Sequence, residues 1–487
     1  MSIAGSASDR GAERVLSGRT VLVAGLGVSG AAAARVLLDR GACVLLTDAR
    51  KPPAVATLVD SGAEWLGALT EVPEGTGLVV TSPGWRPDAP LLADAAKRGI
   101  EVIGEPELAW RLRVPAGDGE PAPWLAVTGT NGKTTTVTML EAILLADGRR
   151  AIAAGNVGRP LVEVVTATDE DGAAAYDTIA VELSSFQLHW SSSLAPAAAA
   201  VLNVADDHVD WHGSAAAYRD AKARILRFAP VAVADAGDPV ASALVAGHPR
   251  PVTVTLGEPA PGQLGVRAGA LVDRAFAADP AGEVLLEAGG LQVPGPHNIV
   301  NALAAAALAR AAGVSAEAVG RGLAGFRGGA HRNVRVATVG GVDYVDDSKA
   351  TNPHAAGASL AAYPRVVWIA GGLLKGADVD PLVAAVAPRL AGAVLLGRDR
   401  ADLARSLARH APAVPLVEVP SGDDDRMDVE GTGRSAEETM RLVVEAAARL
   451  ARPGDTVLLA PAAASMDVFT DYGHRGRAFA DAVRALV

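Results

Sequence analysis

The chain has 487 residues, a net charge of −11 and an isoelectric point near 5.4. This length predicts about two to four domains, and the acidic balance argues against a protein that binds nucleic acid. No apolar run reaches membrane-spanning length and the first residues lack a signal-peptide pattern, so we expect a cytoplasmic protein without membrane insertion. Residues 1–17 are polar and are predicted to form a flexible tail.

Residues 18–114 are predicted to form a Rossmann-like domain. They begin with a strand, a G-x-G-x-x-G turn at residues 25–30, a helix, and a second strand that ends in an acid. This order is typical of a unit that binds a phosphorylated ligand at a helix N-terminus. The elements are strand Thr20–Ala24, helix Ala31–Asp39, strand Cys43–Thr47 and the acid Asp48.

A further strand of this domain, Leu78–Thr81, runs into Ser82 at the sheet edge where open α/β sheets bind ligands. Cys43 is the only cysteine, which excludes an internal disulfide, and within an apolar strand we expect it to be buried. Residues 114–123 are rich in proline, glycine and acids and mark a domain boundary. The second domain is therefore predicted over residues 121–329.

The second domain opens with the most informative motif, T-G-T-N-G-K-T-T at residues 128–135. It follows the apolar strand Trp124–Val127 and leads into a helix. Backbone amides at a helix N-terminus, a lysine and a hydroxyl residue together cradle a triphosphate and Mg²⁺. The loop is shorter than the usual P-loop, whose first glycine would fall at Val127. A plain glycine turn is the alternative, but it does not need Lys133 and Thr134 directly after it.

Two candidate metal ligands follow later strands of this domain. Glu182 ends the strand Asp177–Glu182 and could hold Mg²⁺ directly or through water, with a helix cap as the alternative. His208 follows the strand Ala197–Asn203, although Mg²⁺ prefers oxygen ligands. Residues 251–294 show short alternating runs that favour an antiparallel patch.

The third domain, residues 330–487, alternates strands with alanine-rich helical stretches, which predicts another parallel sheet. Its polar loop 347–352 suits the binding of an anion or a carboxylate. The whole chain is therefore predicted to be α/β with three domains: a Rossmann-like N-terminal domain, a central P-loop-type ATPase with a mostly parallel sheet, and a Rossmann-like C-terminal domain. The strands of the third domain are Val366–Ala370, Ala393–Leu396 and Thr456–Ala460.

Lysine is scarce, with six residues among 44 lysines and arginines. Arginine serves wherever any cation suffices, so the remaining lysines are enriched at sites that need a primary amine. Four of the six lie in or near the motifs: Lys133, Lys222, Lys349 and Lys375.

The motifs together resemble those of the Mur ligases of peptidoglycan synthesis, most closely the MurD type. The loop GTNGKTT is shared by all Mur ligases and by folylpolyglutamate synthetases. The narrower signs are GLGVSG, SPG, GNVG, ELSSFQL, PGPHNIVNAL, DDSKATNP and PAAASMDVF, in family order along the chain. The resemblance implies an ATP-dependent ligase that adds D-glutamate to UDP-N-acetylmuramoyl-L-alanine. A substrate carboxylate attacks the γ-phosphate of ATP, and an amine then attacks the acyl phosphate.

The resemblance also implies the site residues. The catalytic residues are Lys133, Glu182, His208 and Lys222. ATP is held by Gly129, Thr130, Asn131, Gly132, Lys133, Thr134, Thr135, Asn298, Asn301, Arg332 and Asp347. Two Mg²⁺ ions are held by Thr134 and Glu182 and by His208 and Lys222, the latter as a carbamate. The UDP-linked substrate contacts Val28, Ser29, Asp48, Ser82 and Asn156, and D-glutamate contacts Lys349, Thr351, Lys375, Ser465 and Phe469.

Residue chemistry alone also allows purely structural roles for several of these residues. Asn298, Asn301 and Ser465 could be helix caps, and Arg332 could be a surface charge. Four other functions are the alternatives: the L-alanine-adding Mur enzyme, a folylpolyglutamate synthetase, an NAD-dependent oxidoreductase, and an ATP-binding regulator without catalysis. The oxidoreductase has no use for the phosphate loop, and a regulator has no need to keep the catalytic residues together. We expect the ligase to act as a monomer.

Overall fold

The computed structural model describes residues 16–115, 119–205, 207–420 and 434–486. The chain divides into two compact units, Met1–Gly290 with Val300–Gly325, and Leu291–Ile299 with Phe326–Val487. Within the described residues the first unit contains two sheets and the second unit contains one. The predicted α/β class with mostly parallel sheets is confirmed. Residues 1–15 of the predicted tail and 116–118 of the predicted linker lie outside the described residues, and the domain limits stay predictions.

The first sheet has the strand order β3-β2-β1-β4-β5, and all its neighbouring strands are parallel. This is the strand order of a Rossmann fold without its sixth strand. A Cβ atom at Gly30 would lie 1.8 Å from the carbonyl oxygen of Gly25, so the first helix packs on its turn only through glycine. The elements are β1 Thr20–Ala24, α1 Val28–Asp39, β2 Cys43–Thr47, α2 Ala54–Asp60, β3 Glu64–Trp65, β4 Leu78–Thr81, α3 Pro90–Lys97, β5 Val102–Gly104 and α4 Glu105–Arg111.

The prediction that Cys43 is buried is wrong. Cys43 is the first residue of β2 and is exposed, whereas Val44 and Leu46 are buried. Successive side chains of a strand point to opposite faces, so the apolar composition of the run did not show which face Cys43 occupies.

The second sheet has the order β14-β13-β12-β11-β10-β9-β6-β8-β7. Its neighbouring strands are parallel from β7 to β12, and β13 is antiparallel to both β12 and β14, so the predicted antiparallel patch is confirmed for these strands. The strands are β6 Trp124–Thr128, β7 Ala151–Gly155, β8 Thr178–Glu182, β9 Ala198–Val201, β10 Ala232–Asp235, β11 Pro251–Val254, β12 Gln263–Arg267, β13 Ala270–Asp273 and β14 Glu283–Leu286. The helices are α5 Lys133–Ala146, α6 Leu161–Val165, α7 Ser185–His189, α8 Val209–His212, α9 Ala215–Ala223, α10 Pro239–Val245, α11 Pro296–Ala311 and α12 Ala316–Gly325, with 3₁₀ turns at Arg224–Leu226 and Ala288–Gly290.

The third sheet has the order β15-β16-β20-β17-β18-β19 and is parallel except for the hairpin β15–β16. Its central strands are fully buried and rich in valine and leucine, as expected for a sheet covered on both faces. The elements are β15 Val334–Val339, β16 Val342–Asp346, α13 Pro353–Leu360, β17 Val366–Gly371, α14 Asp380–Val386, a 3₁₀ turn Ala387–Arg389, β18 Leu390–Leu396, α15 Arg400–His410, β19 Leu416–Glu418, α16 Ala436–Leu450, β20 Thr456–Leu459 and α17 Tyr472–Arg484.

In the part of the chain that the structure describes, none of the helices has both the length and the apolar character needed to cross a membrane.

Candidate active site

The phosphate loop connects β6 to α5. Gly132 precedes α5 with a φ of +84°, in the left-handed region that favours glycine. A Cβ atom at this position would lie 2.5 Å from Oδ1 of Asn301. That same oxygen accepts a hydrogen bond from the hydroxyl of Thr136 at 3.2 Å. The loop therefore needs glycine here both for its turn and for the close approach of Asn301.

Two residues that sequence analysis missed hold this loop. Asn203 accepts a hydrogen bond from the backbone N–H of Asn131 (2.8 Å) and donates one to its carbonyl oxygen (3.1 Å). The hydroxyl of Tyr218 lies 3.0 Å from that of Thr130. Asn203 follows the end of β9, where ligands bind in open α/β sheets, and Tyr218 lies one helical turn before Lys222, on the same helix face. Both positions could therefore have been predicted from the sequence.

Two lysine side chains meet at one carbonyl oxygen of the loop. Nζ of Lys133 donates to the carbonyl oxygens of Gly129 and Thr130, both at 2.9 Å. Nζ of Lys222 donates to the same Gly129 oxygen at 2.8 Å, from a side chain that is 1% exposed. Burial lowers the pKa of Lys222 well below its ordinary value, and the charge of Lys133 lowers it further, while nearby acids offset only part of this. The environment therefore favours a neutral amine at Lys222.

Glu182 lies beside the start of the loop, because Val127 of β6 pairs with it in the parallel register. Its Oε1 accepts a hydrogen bond from Nδ2 of Asn156 at 2.8 Å. Its Oε2 is buried and has no hydrogen-bond partner among the residues that the structure describes. A buried carboxylate oxygen without a partner is costly, so the site is suited to a ligand that completes it.

His208 precedes the short helix α8 with a φ of +51°. Its ring centre lies 4.7 Å from that of Phe186 and 6.2 Å from that of Tyr218. Burial lowers the pKa of His208, against the charge of Asp207, and the charges of two lysines add to the decrease. A neutral imidazole is the form that binds a metal.

The oxygen donors beside the loop fit a magnesium ion. Mg²⁺ usually keeps several waters and takes one or two carboxylates together with substrate phosphates. The unpartnered Oε2 of Glu182 and the hydroxyl of Thr134, in the first turn of α5, are donors of this kind. No group of three His, Cys, Asp or Glu side chains that could hold a metal is found within the described ranges. An ion held by the two donors Thr134 and Glu182 would take its remaining ligands from water and substrate phosphates.

A cavity of about 210 Å³ lies between loops of the first and second sheets. Val28, Ser29 and Pro83 form its wall on the side of the first sheet, and Asn156 and Gln187 belong to the opposite wall. Val28 is 75% exposed although it is apolar, which leaves its side chain open to a ligand. Three of the predicted UDP-substrate residues are thus brought together, and Asn156 connects them to the acid at the end of β8.

The other two predicted UDP-substrate residues contact the glycine turn of the first sheet. Oδ2 of Asp48 accepts a hydrogen bond from the backbone N–H of Leu26 at 2.7 Å. Ser82 packs so closely on Gly25 that a Cβ atom there would lie 2.2 Å from the serine Oγ. Neither Asp48 nor Ser82 is among the described residues that line the cavity. A direct ligand contact by either stays a prediction.

In the second unit, two predicted nucleotide contacts lie close together. Burial raises the pKa of Asp347 to about 6, and a hydrogen bond from Ser359 and the charge of Arg332 oppose this increase. Asn298 belongs to the same unit, whereas Asn301 belongs to the first unit. The predicted nucleotide contacts are therefore divided between the two units.

The aromatic ring beside Lys349 is one that sequence analysis missed. Nζ of Lys349 lies 3.8 Å from the ring centre of Tyr472, in a cation–π contact. Tyr472 is 37% exposed, whereas Phe469 is 4% exposed and belongs to the apolar core with Met440. The structure thus places Tyr472 next to the predicted amino-acid-binding lysine, and a contact of Phe469 with D-glutamate stays a prediction.

The other predicted amino-acid contacts lie on loops at the ends of β16, β17 and β20. Thr351 donates its backbone N–H to the carbonyl oxygen of Lys349 at 2.8 Å. Lys375 has a φ of +55°, which is uncommon for a residue with a side chain and marks a tight turn. Ser465 is 4% exposed and follows β20. These loops leave the carboxyl edge of the sheet, where ligands bind in open α/β folds.

Arg475 holds the loop that follows β16. It is 1% exposed and donates to the hydroxyl (3.0 Å) and the carbonyl oxygen (2.9 Å) of Ser348 and to the carbonyl oxygen of Ala463 (3.1 Å). Burial lowers the pKa of Arg475 to about 10. Nδ1 of His331 lies 2.6 Å from the carboxylate of Asp346 at the end of the same strand. Both side chains were absent from the sequence-based site.

Known proteins resemble this chain along nearly its whole length. The Mur ligase MurD-like N-terminal domain matches residues 19–104, the Mur ligase middle domain residues 127–309, and the Mur ligase glutamate ligase domain residues 331–463. A UDP-N-acetylmuramoylalanine–D-glutamate ligase from Thermobifida fusca is 55% identical over 482 residues, which cover 97% of this chain and 99% of that protein. The chain belongs to the Mur ligase family, in its MurD type. A protein of the same name from Streptomyces coelicolor is also 55% identical, over 96% of this chain and 98% of its own.

Solved structures of Mur ligases and related enzymes share the fold. The UDP-N-acetylmuramate-alanine ligase of Thermotoga maritima has a TM-score of 0.54 at 18% identity, covering 96% of this chain and 99% of that one. A pseudomurein peptide ligase type C of Methanothermus fervidus has a TM-score of 0.56 at 17% identity, covering 96% and 100%. The resemblance inferred from the motifs is confirmed, and Mur ligases as a family use ATP and Mg²⁺.

Proposed function

We propose that this Mur ligase joins D-glutamate to UDP-N-acetylmuramoyl-L-alanine, converting ATP to ADP and phosphate, in cytoplasmic synthesis of peptidoglycan precursors. The observation that carries the proposal is the grouping of phosphate loop, Lys133, Lys222 and the unpartnered Oε2 of Glu182 at one edge of the second sheet. The cavity next to this edge supplies room for a second substrate. The names of the relatives at 55% identity support the choice of substrates.

In the first step, a carboxylate oxygen of the UDP-linked substrate attacks the γ-phosphorus of ATP, ADP leaves, and an acyl phosphate forms. Lys133 donates to two neutral carbonyl oxygens in the structure, and charged phosphate oxygens are stronger acceptors for its ammonium. We therefore assign the phosphates to Lys133 and to the backbone N–H groups of the loop. Thr134 and Glu182 would hold Mg²⁺, which would neutralise part of the phosphate charge when bound.

We assign Lys222 as a lysine that is carbamylated and then completes a second metal site with His208. The neutral amine attacks the carbon of CO₂ and loses a proton, which yields a carbamate with two oxygen donors. Burial of Lys222 supports this assignment, because it favours the neutral amine that the addition requires. Arginine would stay charged at this position and could not replace it.

In the second step, the amine of D-glutamate attacks the acyl carbonyl, a proton is lost, and phosphate leaves. We assign Lys349 and Lys375 to the carboxylates of the amino acid, with Thr351, Ser465 and Tyr472 around it. The cation–π contact supports this, because it holds the ammonium of Lys349 in place before a carboxylate arrives. The chain's task in both steps is positioning and charge neutralisation.

The test is phosphate release from ATP in the presence of UDP-N-acetylmuramoyl-L-alanine, with D-glutamate, L-glutamate, L-alanine or no amino acid. Release only with D-glutamate is the expected result. Release with another amino acid would keep the ligase reaction and overturn the specificity. If folded protein that binds ATP releases no phosphate with any of these amino acids, the proposed function is wrong and a regulator is favoured. The mass of the native protein in solution tests the expected monomer.

A further inference from the structure

Helix α4 carries two buried carboxylates that none of the assigned sites uses. It follows the last strand of the first sheet, and both of its carboxylates bind backbone N–H groups in segments that connect strands of the second sheet. We propose that Glu105 and Glu107 are positioning residues that fix the two walls of the 210 Å³ cavity against each other. This rests on the proposed function in one respect, namely that the cavity receives the UDP-linked substrate.

Glu107 makes the stronger of the two contacts. Its side chain is fully buried, and Oε2 accepts the backbone N–H groups of Ser192 (2.9 Å) and Ser193 (3.0 Å). Oε1 accepts the hydroxyl of Ser193 at 2.6 Å and Nε of Arg111 at 3.0 Å. Burial alone would raise the pKa of Glu107, but these hydrogen bonds outweigh burial and leave the pKa below its ordinary value. The group is therefore a charged anchor for the turn after α7.

Glu105 makes the second contact, two residues earlier on the same helix. Its Oε1 accepts the backbone N–H of Val162, in the first turn of α6, at 2.7 Å, and its side chain is 1% exposed. A third connection lies nearby, because Arg35 of α1 pairs with Glu163 of α6 at 3.1 Å. The last residue of β5, Gly104, also donates its N–H to the carbonyl oxygen of Trp190 at 2.9 Å. The start of α4 is thus held at several points.

Both anchored segments adjoin the cavity. Helix α6 begins directly after Pro160, which lines the cavity together with Asn156 of the same loop. The turn held by Glu107 directly follows α7, which contributes Gln187 to the lining. The opposite wall, with Val28 and Ser29, stands on α1 of the first sheet. The two carboxylates therefore set the distance between the walls that a substrate has to bridge.

The arrangement predicts a selective effect on one substrate. When Glu107 becomes glutamine, one of its two oxygens becomes an NH₂ donor that faces N–H groups, so hydrogen bonds are lost and donors clash. The phosphate loop and the second unit contain none of the anchored residues. Weakening the anchor should therefore change binding of the UDP-linked substrate and leave the affinities for ATP and D-glutamate unchanged.

The experiment compares Glu107→Gln with the matched control Glu101→Gln in the full chain. Glu101 also pairs with Arg111, at 2.7 Å, but is half exposed, and among the described residues it makes no contact with Val162, Ser192 or Ser193. Glu107→Gln should raise KM for the UDP-linked substrate about tenfold, with kcat and the other two KM values within about twofold. The control should leave all these constants within about twofold of the wild type.

Ser193→Ala keeps the inference testable if Glu107→Gln fails to fold. It removes only the hydroxyl donor at 2.6 Å and leaves the backbone N–H groups in place. It should raise the same KM about threefold, and less than additively when combined with Glu107→Gln. Thermal unfolding is measured beside the kinetics. A raised KM at an unchanged melting temperature indicates a change in the cavity, whereas a lowered melting temperature indicates loss of folded protein.

The outcomes separate this inference from the proposed function. If the wild type catalyses D-glutamate-dependent phosphate release but both variants keep the wild-type KM for the UDP-linked substrate, the positioning role is wrong. An equal rise in all three KM values would also overturn it, because that is the mark of general destabilisation. If the wild type shows no such reaction, the proposed function fails, and the substrate assigned to this cavity fails with it.

Discussion

Glu105 makes the stability of the first unit depend on pH. Burial, reinforced by the negative charge of Glu163, raises the pKa of Glu105 from 4.5 to about 7, and the hydrogen bond from Val162 opposes this only in part. The native state therefore holds the proton more tightly than the unfolded chain. The resulting stabilisation is fully present below pH 4.5 and is lost as the pH rises through about 7.

Glu105→Gln removes this dependence, because an amide does not titrate. A pKa raised from 4.5 to about 7 corresponds to about 3 kcal/mol in the free energy of unfolding, of which about 1.5 kcal/mol is lost between pH 6 and pH 8.5. Unfolding is best measured between pH 6 and pH 8.5, because the isoelectric point near 5.4 favours aggregation at lower pH. The free energy of unfolding of the variant, minus that of the wild type, should therefore rise by about 1.5 kcal/mol from pH 6 to pH 8.5. Any effect of the amide that does not depend on pH cancels in this change.

The assay is urea unfolding followed by tryptophan fluorescence at several pH values. Trp110 lies on the same helix as Glu105, and its ring centre is 5.1 Å from that of Trp124, so two of the seven tryptophans report on this region. Glu101→Gln serves as the control, because the pKa of Glu101 is lowered and its charge is constant over the range. A difference between variant and wild type that stays constant within about 0.5 kcal/mol would refute the reasoning.

Further predictions concern the two amine-bearing sites and the loop held by Arg475. Lys222→Ala should lower kcat by at least about 10³-fold, and a short carboxylic acid should restore part of the activity; no rescue in folded protein would contradict the carbamate. Tyr472→Ala should raise KM for D-glutamate about fivefold without changing that for ATP, whereas Phe469→Ala should mainly lower the melting temperature, by loss of a buried ring; the reverse pattern would restore Phe469 as the contact. Arg475→Met should lower the free energy of unfolding by about 3 kcal/mol in urea, because Ser348 loses its donors; an unchanged midpoint would contradict this.

Sequence predicted the parts of the fold that local pattern controls. Strands with apolar runs next to glycine turns, such as Thr20–Ala24 and Leu78–Thr81, have the bounds that the structure gives them. The error at Cys43 arose where composition was used without the face of the strand. Several of the site residues that were predicted from motifs, such as Asn131, Ser82 and Thr351, lie on loops next to strand ends, where sequence signal and position in the fold coincide.

Residues defined by long-range contacts could not be predicted in this way. From the sequence alone, Glu105 and Glu107 are ordinary acids in the first turn of a helix, where negative charge is favoured by the helix dipole. Only the fold brings them to Val162 and Ser193, 57 and 86 residues away in sequence. Tyr472 was missed for a related reason, since it lies outside the PAAASMDVF motif and meets Lys349 only through the tertiary structure.

The exposed position of Cys43 has a practical consequence. Because the sequence contains one thiol and the structure leaves it open to solvent, the natural chain offers a single attachment point for a maleimide dye or spin label. A second cysteine introduced into the C-terminal unit would create a defined pair of labels without the removal of any native residue. Distances between the two units in solution, with and without nucleotide, then become measurable by energy transfer or electron spin resonance.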